Sequence, residues 1–532
     1  MRDIISIFAT CARLTPVIAL VCLSVLPSSA AEIDVRAGDG VVALHWKTAQ
    51  FPADTLFQVF RASDADGPLI LQNAAPSKRA EYLDNSVRNG TGYFYRIKFL
   101  HTSTNGWLNG KLFPARPEAF KDDEAFVGFI QRLAFDYFWY ESDPVTGLTY
   151  DRTRAGSPAS IAAVGFGLTG LGVGVERKWI SRTDAVERTL RVLRTLWNGP
   201  QNNEKTGATG YKGWFYHFLK PNSATRAWKC EVSTIDTVLL LGGVIFAEQF
   251  YQEKNPQETE IRNLARSIMD RVDWQWVFTG RKLFGHGWFP ETGKIKHFWE
   301  GYNEAMILYI FALGQEDSKI PEEAWQSWTR TYKWEKLYGQ EFLTFPPLFG
   351  HQYSHCWIDF RDLQDSFMRE KGSDYFKNSR SAVLAQQSYC VENPGNHAGY
   401  GTPLWGISAS DGPPVKGRPT YSARGAPPSD NDDGTLMASV VGASMPFAPE
   451  LCISTLKHLY YRLGKESLNV YGFGSAYNLS KQWWSDEVIG IDQGAMLLMI
   501  ENYRSGFVWK IMRDHPVVRR GMERAGFRSR TD

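Results

Sequence analysis

The chain has 532 residues, with 59 Lys and Arg against 57 Asp and Glu, and no long basic run before its Arg-rich last dozen residues. That balance excludes a nucleic-acid binder, because phosphate contacts need clustered cations. Aromatic residues make up 14% of the chain, including 19 Trp. This exceeds what a core requires and favours surfaces that stack on flat, apolar faces such as those of sugar rings.

Residues 1–30 read as a secretory signal. Arg2 and Arg13 flank the start, the run from Val17 to Leu26 is a short apolar core, and Ser28-Ser29-Ala30 supplies a small-residue cleavage site. The run is too short to span a membrane comfortably. The expectation is a periplasmic or secreted bacterial protein with no membrane attachment once the signal is removed. Four cysteines remain after cleavage: Cys230, Cys356, Cys390 and Cys452. They lack the C-x-x-C spacing of a zinc site, and export leaves one or two disulfides open.

Residues 32–112 carry strand-length runs at Val41–Trp46, Leu56–Arg61 and Tyr93–Lys98, separated by Gly, Asp and Asn clusters. An early strand Trp and a late Tyr-x-Tyr-x-Ile strand resemble a fibronectin type III sandwich, a module that spaces or docks. Residues 113–120 read as the linker.

From residue 121 to 513 the patterning is helical. Phe126, Ile130, Leu133, Phe135 and Phe138 recur at helical spacing. Ile161 to Val175 holds five glycines, which predicts close helix–helix approach. Further helices are expected at 181–198, 233–253, 257–275, 301–313, 374–391, 447–463 and 491–504. Gly314 is expected to stop its helix in a left-handed conformation. Residues 514–532 read as a basic tail. Helix pairs closing into a toroid, with long aromatic loops on one face, fit this order.

The chemistry centres on the stretch from Trp299 to Gly314. As a helix it is apolar nearly all round, yet it opens with Glu300 and Glu304 beside Trp299, Tyr302 and Asn303. The plainest role for such acids is to complement a helix dipole. A second buried rod repeats the arrangement, because Glu231 and Asp236 lead into Val238–Leu241. There Ser233-x-x-Asp236 is also close to a capping box. Two buried rods with carboxylates in their first turns suit glycoside cleavage, which wants one protonated and one ionised carboxyl across a sugar ring. Loops among Gly and Pro carry Trp214, Trp288 and Trp405 as candidate stacking residues. His351 and His355 lie four apart but lack a third ligand, so polar contact with sugar hydroxyls, or a packed imidazole, is the reading rather than a metal.

These motifs together resemble a known family. Gly301-Tyr302-Asn303-Glu304, His351-Gln352-Tyr353-Ser354, Tyr400-Gly401 with Trp405-Gly406-Ile407-Ser408, Asp433-Gly434-Thr435 and Ile491-Asp492-Gln493-Gly494 recur in this order in the bacterial "putative glucoamylase" family, which includes glycoside hydrolase family 144. The likeness covers about residues 122–510. It implies an (α/α)6 toroid and endo-β-1,2-glucanase activity by inversion, releasing sophorose and related oligosaccharides without a cofactor. It also implies that Glu304 is catalytic. The second acid does not align cleanly, so Asp236 is expected as the base and Glu231 as its substitute. Substrate contacts are expected from Trp299, Glu300, Tyr302, Asn303, His351, Tyr353, Trp214, Trp288, Tyr400, Trp405 and Asp433. The alternatives are a transglycosylase, a hydrolase of another glucan, or a glycan-binding protein without turnover.

Overall fold

The computed structural model describes residues 33–46, 54–100 and 107–530. The signal segment read at 1–30 lies outside them. The first part of the chain forms seven strands: β1 (Ile33–Gly38), β2 (Val41–Trp46), β3 (Leu56–Ala62), β4 (Ile70–Leu71), β5 (Glu81–Asp84), β6 (Tyr93–Leu100) and β7 (Trp107–Ala115). They make two sheets, ordered β1-β2-β5 and β4-β3-β6-β7, with antiparallel neighbours. β7 reaches into the stretch read as linker, pairing Tyr93 with Ala115 and Phe94 with Pro114. Pro114 is tolerated because β7 is an edge strand.

β2 explains how this unit sits on the rest of the chain. All six of its residues are buried, because the strand is covered on both faces. Alternation sends Val42, Leu44 and Trp46 into the core between the sheets, and Val41 and Ala43 into the helical core. His45 follows the second set and stacks on Tyr140, ring centroids 4.4 Å apart. Arg36 pairs with Asp136 at 3.1 Å across the same seam. A cavity of about 530 Å³ opens there, lined by Trp46, Glu81, Trp139, Glu141 and Tyr471 among others.

The remainder is mainly helical. The helices are α1 (Asp123–Tyr140), α2 (Ile161–Glu176), α3 (Arg182–Asn198), α4 (Thr234–Phe250), α5 (Pro256–Asp270), α6 (Trp274–Val277), α7 (Met306–Gly314) and α8 (Glu323–Thr329). They continue as α9 (Ser366–Glu370), α10 (Tyr375–Glu392), α11 (Ala438–Ala443), α12 (Pro449–Ser467), α13 (Gly490–Arg504), α14 (Phe507–Arg513) and α15 (Pro516–Arg524). α2, α4, α7 and α13 are buried on nearly every side. Amphipathic α3 and α5 pack outside them. The glycines of α2 serve close approach, as expected: a Cβ on Gly165 would collide with the backbone of Leu239 and Leu240 in α4.

Four expectations need correction. The helix read at 301–313 begins only at Met306. Gly301 takes φ +77° and the Asn303 side chain accepts from the Ala305 amide at 2.9 Å, so these residues build a turn instead. Gly314 is the last residue of α7 and has no left-handed φ. A Cβ there would strike the Val517 carbonyl, so it is small for packing. Residues 514–532 are no loose tail, since α15 buries Val517, Val518 and Met522 against α7. Its Arg520 and Arg524 donate to the Gly314, Leu313 and Ile320 carbonyls at 2.6, 2.9 and 2.8 Å, filling the acceptors that a helix end leaves open. Finally, Cys230, Cys356, Cys390 and Cys452 are all free thiols.

Candidate active site

Glu304 sits in the turn that feeds α7. Its carbonyl accepts from the Ser354 hydroxyl at 3.3 Å, and the Ser354 Oγ in turn accepts from the Ile307 amide at 3.1 Å. The 3₁₀ turn Tyr353–Cys356 therefore fixes the backbone on both sides of the acid. Carboxyl oxygen Oε2 is buried and has no hydrogen-bond partner. Desolvation, with a smaller push from the Asp236 charge, lifts this carboxyl to about 7.

Asp236 occupies the first turn of α4, as the sequence predicts. Ser233 caps that helix, receiving the Asp236 amide at 3.3 Å and donating to its carboxylate at 2.5 Å. The strand Val232–Ser233 pairs with Gly287–Phe289, which brings Glu231 alongside. His217 bridges the two acids: Nδ1 lies 2.9 Å from Glu231 and Nε2 3.6 Å from Asp236. Burial opposes a charge on the ring, but the two carboxylates outweigh it and lift the imidazole to about 9. In return, the bond from His217 holds Glu231 below the usual carboxylate range despite desolvation. Among the described residues these three side chains alone offer grouped metal-ligating atoms, within 4.8 Å of one another. The proton held by His217 competes with any cation there.

A second acidic cluster faces the same region. Arg152 reaches Asp151 at 3.0 Å and both Asp411 and Glu487 at 3.2 Å. Asp492, in the first turn of α13, is buried with Oδ2 unpartnered. Desolvation, then the Asp411 charge, raises its carboxyl well above the ordinary value. Tyr353, buried, lies near enough to both Asp492 and Glu304 for their charges to hold its hydroxyl well above the ordinary tyrosine value, after the larger effect of desolvation. Tyr421, more than half exposed, lies opposite Asp411 in the paired strands Ser410–Val415 and Arg418–Ser422.

The Ile491-Asp492-Gln493-Gly494 motif points at Asp492 without giving it a role, and no sequence motif singles out His217. Nothing in the linear order shows that His217 meets Glu231, 14 residues away. Strand pairing does that, through the Tyr216–Val232 bridge.

Several expected substrate contacts are placed elsewhere. Trp214 and Trp405 are fully buried, and their indole N–H groups donate to the Asp273 carbonyl and the Thr455 hydroxyl. His351 is sealed against Tyr302 and the Phe345 carbonyl, and burial drops its pKa to about 3. His355 is equally buried, shares Ser379 at 3.1 Å and is pushed to about 3. These four side chains therefore cannot meet a sugar. Tyr302 is buried among Tyr332, Tyr375 and His351. Trp299 stacks on His286 at 3.9 Å and donates to Thr234 at 2.9 Å, which ties its loop to the start of α4. Glu300 pairs with Arg330 at 3.1 Å, and Asn303 serves the turn before α7. Tyr400 donates to Asp432 at 2.7 Å, Asp433 is clamped by Arg424, and Trp288 packs partly buried on Tyr211 and Trp276.

An exo β-1,2-glucooligosaccharide sophorohydrolase (non-reducing end) of Parabacteroides distasonis is 28% identical, over 76% of this chain and 58% of its own length. The chain thus spans somewhat over half of that curated relative. The crystal structure of a β-1,2-glucanase from Parabacteroides distasonis shares the fold over 94% of this chain and 73% of its own, with TM-score 0.82 and 23% identity. An endo-β-1,2-glucanase from Chitinophaga pinensis, solved with sophorotriose and glucose, matches 77% of this chain and 99% of its own at TM-score 0.69 and 26% identity. Residues 296–516, which hold Glu304, Tyr353 and Asp492, match the family described as "Putative glucoamylase".

Proposed function

We propose that the protein is an exported glycoside hydrolase that cleaves β-1,2-glucan to sophorose and short oligosaccharides. The observation that carries this reading is the Glu304 carboxyl: lifted to about 7, unpartnered at Oε2, and close enough to Asp236 to feel its charge. A general acid must hold its proton near the working pH, and a desolvated carboxyl does so. Glu304 gives its proton to the glycosidic oxygen as the C1–O bond breaks. Asp236 takes a proton from the water that attacks C1 from the opposite face, which inverts the anomeric centre. Charged His217 keeps Asp236 and Glu231 side by side without repulsion.

The activities of the sophorohydrolase and of the endo-glucanase supply the substrate class. The buried helices α2, α4, α7 and α13 are read as inner members of an (α/α)6 toroid, and the N-terminal sheets as a fibronectin type III-like unit docked on it. A second reading of the base rests on one feature, the unpartnered Oδ2 of Asp492. Comparing Asp236→Asn with Asp492→Asn separates the two.

The test is product analysis on linear β-1,2-glucan beside starch, laminarin and cellulose. Sophorose and short β-1,2 oligosaccharides from the first substrate alone are expected, and their order of appearance distinguishes endo from exo cleavage. Turnover of starch, laminarin or cellulose with β-1,2-glucan left intact would overturn the proposal.

A further inference from the structure

Trp228 stands out among the described residues for two independent reasons. It is 69% exposed, the most exposed Trp of the chain's described part. Its backbone also holds φ +51°, a left-handed conformation that bulky side chains rarely adopt and that costs on the order of 1–3 kcal/mol. Tyr338 shares that conformation, but there the two-residue turn Tyr338-Gly339 between paired strands demands it. Trp228 takes it in the tight turn that the Cys230 amide closes on the Ala227 carbonyl at 3.4 Å.

The loop around it is braced from several sides. Arg226 donates to the Cys230 carbonyl at 2.7 Å and grips Glu291 with two bonds of 2.8 and 3.0 Å. The Ala227 amide donates to the Phe218 carbonyl at 2.9 Å, and the Cys230 thiol donates to the same oxygen at 3.3 Å. The loop therefore over-determines the strained residue and presents its indole to solvent.

The rings lead inward. Trp228 meets Phe218 edge-on at 5.3 Å, and Phe218 stacks on His217 at 3.9 Å. His217 is the imidazole between Glu231 and Asp236. An exposed aromatic face lies two ring contacts from the imidazole that joins the carboxylate pair.

We propose that Trp228 is a sugar-stacking platform at the rim of the cleft, holding a pyranose ring of the glucan chain beyond the bond that is cut. This rests on the glucanase reading above. A pyranose offers a flat face of C–H groups to an indole, and the preset loop spares the ordering cost of binding. The platform acts on substrate binding and takes no part in proton transfer.

The experiment compares Trp228→Ala, Trp228→Phe and Trp228→Gly with the parent on β-1,2-glucan chains of graded length. For long chains, Trp228→Ala is expected to raise KM about threefold to tenfold with kcat little changed, the size of a lost stacking contact. The shortest cleaved oligosaccharide, which does not reach the rim, should keep its KM. Trp228→Phe should recover most of the loss. Trp228→Gly relieves the backbone strain, so it should melt at or above the parent temperature while showing the same KM defect. Equal KM values for parent and Trp228→Gly at every length would overturn the platform alone. An equal loss on short and long chains would also overturn it, since the contact would then lie at the cut bond. A parent inactive on every β-1,2-glucan chain would instead bring down the glucanase reading, and the platform with it.

Discussion

Two buried glutamates sit in different regions of this molecule and share one property. Glu304 lies in the turn before α7 and Glu141 at the seam between the N-terminal sheets and α1, and desolvation lifts both carboxyls to about 7. Their surroundings differ. Glu141 accepts the Tyr471 hydroxyl at 2.7 Å and is pressed by the charge of Glu81, which pairs with Arg79 at 3.3 Å. Glu304 keeps Oε2 without a partner. A perturbed pKa alone therefore does not mark a site. The seam commits its carboxyl to a hydrogen bond with Tyr471, whereas the turn before α7 leaves one buried carboxyl oxygen without a partner.

The largest effect expected from this contrast is on turnover. Glu304→Gln should lower kcat on β-1,2-glucan at least about a hundredfold, because the transferable proton is gone. Glu141→Gln should leave kcat within about twofold, since amide oxygen still accepts from Tyr471. Equal losses in both variants would erase the distinction. Next in size is His217→Asn, which removes the charge between Glu231 and Asp236. A fall in kcat of about tenfold or more is expected, with the acidic limb of the pH–rate profile moved upward as two like charges face each other.

The helical layers were legible because α2, α4 and α13 are apolar runs of helical length, and burial on all sides follows from that. Glu304 and Asp236 were legible for the same reason, as charges at the mouths of such rods. The turn at 301–305 was not, because only φ at Gly301 and the Asn303 side chain stop the helix short. The aromatic loops misled. Trp214 and Trp405 sit among glycines, yet each indole finds a buried acceptor, and loop context carries no signal of that. The last segment misled because its arginines look solvated in sequence, while Arg520 and Arg524 cap α7. The seam was equally hidden, since the double burial of β2 depends on a partner more than eighty residues away in α1.

A stability measurement sharpens the comparison at smaller amplitude. Both glutamates have folded-state pKa values raised from 4.5 to about 7. The folded chain then binds protons that the unfolded chain releases, so the stabilisation is full below about pH 4.5 and is lost as pH rises towards 7. Glu304→Gln and Glu141→Gln should each flatten the fall in melting temperature between pH 5 and 8. A parental slope in either variant would deny that carboxyl its buried proton. Activity, in turn, should decline above about pH 7 as Glu304 ionises.

Smaller again, Trp405→Phe loses the bond to Thr455 and should cost about 1 kcal/mol of stability with KM unchanged. A raised KM with parental stability would return Trp405 to the substrate side. A chelator is expected to leave turnover unchanged, because the proton on His217 already balances the carboxylates that could hold a cation. Activity lost to chelator and restored by a divalent ion would reassign that cluster.

The most direct test follows the two carboxyls themselves. In protein labelled with carbon-13 at the glutamate carboxyls, two resonances should titrate near pH 7, one absent from Glu304→Gln and the other from Glu141→Gln. Adding a β-1,2-gluco-oligosaccharide at pH 7 should move the Glu304 resonance and leave that of Glu141 in place. A Glu304 resonance that titrates near 4.5, or that ignores the oligosaccharide, would contradict its assignment as the proton donor.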